Sequence, residues 1–408
     1  MTAKNAYTND PDKQWIAIDT NPSSPHYGRV YAMWTLFVFN PSVIYESHAD
    51  ARPDGTYTDW SAPQVLPTVS GKRWDTYLLP HVAPDGTVWS TTTSNPAGKG
   101  FAVADIRLIW STDGGASWQG SLPVAKDIAV PTYKNTTFRE GIVNTFGVGP
   151  KKMNGRYPLY VSWEDGPSGL STVYLTASTD GGNSWATPIQ VNDNRGATEA
   201  LQPNLDVAPN GTVVEAFYDR RLPCPAPGTP EATGAGIAYD PGTSASPGTP
   251  YGRANYCVNT AAQFYKPNLT PLGHNVRLST DTWDPQLSAL RPSCICGSST
   301  FIGDYFGVAS SGSLTYTTSV SRSTRQAKIR SSTSNRSPHA SRPLSSGESR
   351  LAGTPAQAHG LTHRRRPCLS CSRGRSHFRW GSRASQRAWP RREATAQRWR
   401  GAWDWPRA

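Results

Sequence analysis

The chain has 408 residues, with 15 Trp, 17 Tyr, 36 Gly and 35 Pro, 17% charged residues and a formal net charge of +12. That balance excludes a protein of long amphipathic helices and suits many short strands joined by turns, and no apolar run approaches the ~20 residues of a membrane-spanning helix. The positive charge sits at one end: residues 321–408 hold 20 Lys+Arg against three acids, while residues 1–320 hold 21 basic and 26 acidic residues, so a nucleic-acid partner would rest on the tail alone.

Residues 1–12 read as an N-terminal extension, a polar run without the apolar core of an export signal. Strand-like segments then alternate with polar turns, and no long helical period occurs before residue 300. Arg29-Val-Tyr-Ala-Met-Trp34 reads as an inner strand. Asp54-Gly-Thr-Tyr-Thr-Asp-Trp60 follows and runs into Ser-Ala-Pro-Gln-Val65. Val82-Ala-Pro-Asp-Gly-Thr-Val-Trp89 reads as strand, tight turn, strand, and returns as Val207-Ala-Pro-Asn-Gly-Thr-Val-Val214. Interleaved with it, Ser111-Thr-Asp-Gly-Gly-Ala-Ser-Trp118 recurs 67 residues later as Ser178-Thr-Asp-Gly-Gly-Asn-Ser-Trp185, and Asp54–Trp60 reads as a decayed earlier copy. One unit is a hairpin, a third strand, an Asp-Gly-Gly turn and an edge strand, which makes a four-stranded blade.

The chemistry of this turn is structural. Asp113 and Asp180 accept hydrogen bonds from their own turns, with Ser111 and Ser178 beside them. Gly115 and Gly182 supply positive φ, and Trp118 and Trp185 offer apolar plates that pin each hairpin to its blade. Their carboxylates are therefore not expected to serve as acid catalysts or calcium ligands. Blades are expected at about 14–66, 77–126, 141–192 and 201–280, with a fifth opening at Phe301. The fold class is all-β, a β-propeller over residues 13–318 with four to five blades and a Pro/Gly-rich insertion at 222–256. A monomer without cofactor or metal is expected.

Cys224 and Cys257 flank the insertion and Cys294 and Cys296 follow it, a loop placement that suits disulfides in an exported protein, with the connectivity open. Residues 319–408 change character: from 321 on there is no Val or Tyr, one Ile, and 19 Arg to 1 Lys. Disorder is expected there, because few apolar β-formers remain to offset the entropy of ordering. An Arg/Ser/Pro-rich run with five Trp is what a shifted reading frame in a GC-rich gene would produce, and it falls where the fifth blade should continue. The closing strands are therefore expected to be missing.

Two copies of S-x-D-x-G-x-x-W in an all-β chain resemble the Asp-box, or BNR, repeats of sialidases. Trp15-Ile-Ala-Ile-Asp19, Glu215-Ala-Phe-Tyr-Asp-Arg-Arg221, Asn275-Val-Arg-Leu-Ser279 and Phe301-Ile-Gly-Asp-Tyr-Phe-Gly307 resemble phrases of bacterial sialidase-like proteins, so the likeness spans about residues 10–318. It implies a secreted six-bladed propeller that acts on glycans, releasing terminal sialic acid or a related acidic sugar. The alternative it carries is a non-catalytic Asp-box propeller that binds glycans or proteins.

The implied chemistry needs an arginine cluster for the substrate carboxylate, a Tyr nucleophile with a Glu beside it, and an Asp acid/base. The family's early Arg-Ile-Pro phrase is absent. By position after strands or at blade starts, the candidates are Arg220, Arg221 and Arg139 for the cluster, Tyr305 for the nucleophile, Glu215 or Glu140 for its partner, and Asp75 for the acid/base. Each has a plainer structural role available, as a solvated edge, a core aromatic or a carboxyl bonded to turn backbone.

Overall fold

The computed structural model describes residues 10–37, 42–69, 74–96, 102–131, 133–134, 138–139, 144–194, 198–224, 257–279, 282–283, 285, 300–305, 307–312, 314–318 and 330–332. All lie in one unit, Met1–His339. The described residues form strands and no helix. The first sheet takes β1 (Asp10–Ile18), β2 (Val30–Phe37), β3 (Val43–Ala49) and β4 (Gln64–Val65); the second takes β5 (Trp74–Val82), β6 (Val88–Asn95), β7 (Val103–Ser111) and β8 (Gln119–Ala129). After the short β9 (Phe138–Arg139), the third sheet holds β10 (Asn144–Val148), β11 (Leu159–Asp165), β12 (Thr172–Ser178) and β13 (Ile189–Gln190). The fourth holds β14 (Ala200–Val207), β15 (Val213–Asp219), β16 (Asn259–Tyr265) and β17 (Val276–Arg277). Then come β18 (Thr300–Phe301), β19 (Gly307–Ser311), β20 (Leu314–Thr318) and β21 (Arg330–Ser332).

Each of the first four sheets is an antiparallel meander with its strands in sequence order. Their inner strands pack in succession, β1 on β5, β5 on β10, β10 on β14, and β14 on β19. Four meanders joined through their first strands are a β-propeller, which buries sheet faces by radial repetition. The core is divided accordingly. Tyr31, Met33, Leu78 and Ile109 fill the gap between the first and second blades. Leu79, Ile106, Phe146 and Trp163 fill the next. Tyr160, Leu175, Leu205 and Phe217 follow, and Tyr218, Phe264 and Trp283 pack toward Ile302 and Val308.

The turns explain the register. In the β5–β6 hairpin Ala83 N–H donates to Thr87 O (2.8 Å) and Gly86 N–H to Ala83 O (2.9 Å), with Gly86 at φ +82°. The Ala208–Thr212 turn repeats this with Gly211 at φ +95°. A left-handed residue closing a short hairpin matches the strand twist, and glycine takes it at least cost. The Asp54 segment lies between β3 and β4, the place the two full boxes occupy in their blades.

The two full boxes have one geometry. Ser111 Oγ donates to Asp113 Oδ1 (2.7 Å) and Ser117 N–H to the same oxygen (2.9 Å), while Gly115 N–H donates to Ser111 Oγ (2.8 Å). In the second box the matching distances are 2.8, 3.0 and 2.9 Å through Ser178, Asp180, Ser184 and Gly182. Each box leans on the preceding blade. Trp118 packs with the Tyr31–Met33 core and Trp185 with the Leu108 core, and Arg29 Nη1 of the first blade donates to Gly114 O (2.7 Å).

Two predicted boundaries shift. Pairing begins at Asp10, inside the expected extension, because Asp10 to Asp12 extend the β1–β2 ladder. Pairing also continues past residue 318, since Arg330–Ser332 add to β20 and give the fifth sheet three strands. The rest of the predicted tail and most of the 222–256 insertion lie outside the described residues. Cys224 and Cys257 form a disulfide across that insertion. Cys294 and Cys296 lie outside the described residues.

Candidate active site at the axial mouth

In a meander blade the inner strand starts at the end where the second strand finishes, so the starts of β1, β5, β10 and β14 share one face with the ends of β2, β6, β11 and β15. Three inner strands carry a bulge near that face, between Asp12 and Trp15, Thr76 and Leu79, and Leu201 and Asn204. Inside the bulges Lys13, Tyr77 and Gln202 take φ of +56°, +54° and +46°. A non-glycine residue in that region costs roughly 1–2 kcal/mol, and bulges of this kind re-aim side chains beside sites. All three converge on one segment. Lys13 forms an ion pair with Asp304, Tyr77 meets Tyr305 edge-on at 6.0 Å, and Gln202 Nε2 donates to Gly303 O (3.0 Å).

Tyr305 is half-buried against Trp15, with ring centroids 5.4 Å apart. Its hydroxyl has no hydrogen-bond partner among the described residues. Burial first, then the nearby Asp304 and Asp12 charges, push its ionisation up. Glu215 is elsewhere, on the middle strand of the fourth blade opposite Gln263. It is wholly buried, and burial drives its carboxyl far toward the neutral form, with Ser162 opposing. The structure thus does not bring Glu215 to Tyr305.

A tyrosine–glutamate couple does exist. Tyr133 Oη donates to Glu164 Oε2 (3.0 Å), at the last turn of β11 toward the mouth. Ser171 Oγ (3.3 Å) and Gln202 N–H (3.2 Å) donate to the same oxygen. Glu164 is fully buried, and desolvation raises it to about 8 against these hydrogen bonds, with Glu199 adding in the same direction. Glu199 lies beside it, accepting Lys134 N–H at 2.9 Å and Arg220 Nη1 at 2.6 Å. Burial pushes Glu199 up and the Arg220 guanidinium resists, so the two carboxyls have opposite surroundings: one faces a cation, the other a phenol. Gln202 joins this group to the Gly303–Tyr305 segment through its two donors.

The paired arginines diverge. Arg220 is buried and turns inward to Glu199 and Lys134 O (2.8 Å). Arg221 turns toward the outer strands, to Asp219 (2.7 Å), Asp193 (2.6 Å) and Asn275 (2.7 Å). Asp75, the second residue of β5, lies at the mouth, 3% exposed, its backbone tied to the Ser42 hydroxyl (2.8 Å). Arg139 stands in β9, paired in parallel through Phe301 with β18, and Glu140 lies outside the described residues. Sequence reasoning missed Tyr133, Glu164 and Glu199. The available signal was an acidic pair, Glu164-Asp165, ending the apolar strand that begins at Leu159. No group of three or more His, Cys, Asp or Glu among the described residues could hold a metal ion.

No protein-family model matches the chain, and no curated protein matches it. Solved structures do resemble it. One is the GH93 α-L-arabinofuranosidase of Fusarium graminearum in complex with arabinobiose, at 15% identity and a TM-score of 0.40 over 75% of this chain and 76% of that one. Another is the α-L-arabinanase of Penicillium chrysogenum complexed with arabinobiose, at 14% identity and a TM-score of 0.40 over 79% of each chain. The intramolecular trans-sialidase of Ruminococcus gnavus shows 15% identity and a TM-score of 0.33 over 50% of this chain and 38% of that one.

Proposed function

We propose that this chain is a glycoside hydrolase working at the axial mouth, with Tyr133 as nucleophile and Glu164 as the base that takes its proton. The observation that carries the reading is the Tyr133–Glu164 hydrogen bond of 3.0 Å. Burial makes Glu164 a stronger base than an ordinary carboxylate, so the proton moves between groups closer in affinity. As Tyr133 Oη bonds to the anomeric carbon, the glycosidic C–O bond breaks, the phenolic proton passes to Glu164, and Asp75 protonates the leaving oxygen. Water then reverses the sequence, with Asp75 as base.

A neutral phenol suits an anomeric centre that already bears a carboxylate, because an anionic nucleophile would be repelled. The finer reading is therefore release of a terminal acidic sugar of the sialic-acid kind. Lys134, exposed next to Tyr133, supplies a cation on this face. The disulfide supports an oxidising compartment as the place of work, since such bonds rarely persist in a reducing cytosol.

Turnover of a fluorogenic α-sialoside tests the reading, with a neutral arabinofuranoside as comparison. Tyr133→Phe and Glu164→Gln are expected to lower kcat by ~10²–10⁴-fold while leaving the melting temperature within a few degrees. Tyr305→Phe should retain most of the rate. The reverse pattern, an inactive Tyr305→Phe and an active Tyr133→Phe, would return the nucleophile to Tyr305 and overturn the assignment.

A further inference from the structure

The face opposite the mouth, where the Asp-boxes lie, carries an open cleft of about 540 Å³ between the second and third blades. Its size falls within the ~300–1,000 Å³ of small-ligand sites. One wall is aromatic. Trp89 and Trp110 are a cross-strand pair of β6 and β7, centroids 5.6 Å apart and planes 32° from parallel, both half-buried with a side left open to the cleft. The other wall is a tight turn whose ends are doubly bonded, Met153 N–H to Arg156 O (2.7 Å) and Arg156 N–H to Met153 O (3.0 Å). Asn154 and Gly155 both have positive φ (+50° and +81°), the conformation that matches a short hairpin. That rigid turn presents Asn154 and Arg156 to the cleft, beside Tyr157 with Lys152 Nζ 5.3 Å above its ring.

The cleft is lined by two basic and two acidic side chains, and they are held differently. Arg156 and Lys152 have no ion-pair partner among the described residues. The acids lining the cleft are occupied locally. Asp180 accepts Ser178 Oγ (2.8 Å), Ser184 N–H (3.0 Å) and Ser184 Oγ (2.5 Å), and Asp85 Oδ1 accepts Thr87 N–H (3.1 Å). Flat aromatic plates stack on the C–H faces of sugar rings, amides meet hydroxyls, and guanidinium and ammonium groups meet carboxylates.

We propose that this cleft is a second, non-catalytic binding site for an oligosaccharide bearing carboxylate groups, held by stacking on Trp89 and Trp110 and by ion pairs to Arg156 and Lys152. It lies on the far face from Tyr133, so it does not depend on the catalytic reading. It would keep an acidic polymer on the protein while the mouth works on chain ends.

Titration calorimetry of the full chain with tetragalacturonate, and with cellotetraose as a neutral control, tests it. Arg156→Gln is an exposed change outside the core, and it should weaken tetragalacturonate binding at least tenfold with an unchanged melting temperature. Trp110→Ala should weaken both ligands. Raising NaCl from 50 to 300 mM should weaken the acidic ligand alone. Tetragalacturonate binding that survives both substitutions, or no binding by the unmodified chain, overturns the proposal. So does an Arg156→Gln effect equal on both ligands, which removes the carboxylate part.

Discussion

Tyr133 and Glu164 share one proton network, and pH should reveal who gives and who takes. If Glu164 is the base, kcat/KM rises as its carboxyl ionises and levels above about 8, and Glu164→Gln removes that limb. A rate that falls through the same pH would make Glu164 the acid instead. Stability runs the other way. The folded pKa of Glu164 is raised above the unfolded value of ~4.3, so the folded state binds the extra proton. Its contribution is fully favourable below pH ~4 and is lost as pH rises toward 8. The box aspartates behave oppositely. Hydrogen bonds from the Ser117 side chain, then its backbone, hold Asp113 near 2, and Ser184 does the same for Asp180. Their contribution is present above the unfolded carboxyl range and lost as pH falls toward 2. Urea unfolding of Asp180→Asn should lose part of the pH dependence between 4 and 2 that the parent shows.

At the scale of the element, the Asp-box is a clamp between blades, and its glycines separate conformational from steric demand. Gly182 has φ +84°, and a Cβ there would collide with Leu108 Cδ2 of the preceding blade. Gly155 has a similar φ of +81° with open space around it. Gly155→Ala is therefore expected to cost about 1–2 kcal/mol and Gly182→Ala at least about 2 kcal/mol more, measured by denaturant midpoints. Trp185→Ala, which empties the Leu108 contact, should cost roughly 3–5 kcal/mol. These elements were legible in the sequence because their chemistry is local. Ser-x-Asp-Gly-Gly-x-Ser-Trp carries its hydrogen bonds within eight residues, and the Asp-Gly and Asn-Gly hairpins within five. The mouth was not legible in this way. Tyr133 and Glu164 are 31 residues apart and belong to different segments, and only the packing of the third blade on the fourth brings Gln202 to them. Arg220 and Arg221 were found by position, yet alternation sends them to opposite sides, one to Glu199 and one to Asp193.

At the scale of the molecule, the segment that leads into the fifth sheet meets the first blade, where Lys13 pairs with Asp304 and Trp15 packs on Tyr305. Sequence composition placed the end of the propeller at 318, but ladder pairing between β20 and β21 depends on backbone, which composition does not register. The Cys224–Cys257 link spans 33 residues of chain separation, and a loop of that length implies roughly 3–4 kcal/mol of stabilisation in the chain-entropy account. Reduction under non-denaturing conditions should lower the unfolding midpoint accordingly. A covalent bond between Tyr133 and the sugar is the direct mark of the proposed mechanism, and it can be observed. Incubation with 3-fluorosialosyl fluoride, then tryptic digestion and mass spectrometry, should place one glycosyl group on the Asp127–Lys134 peptide, whose single tyrosine is Tyr133. A label on the peptide holding Tyr305, or no label on any peptide, would contradict it.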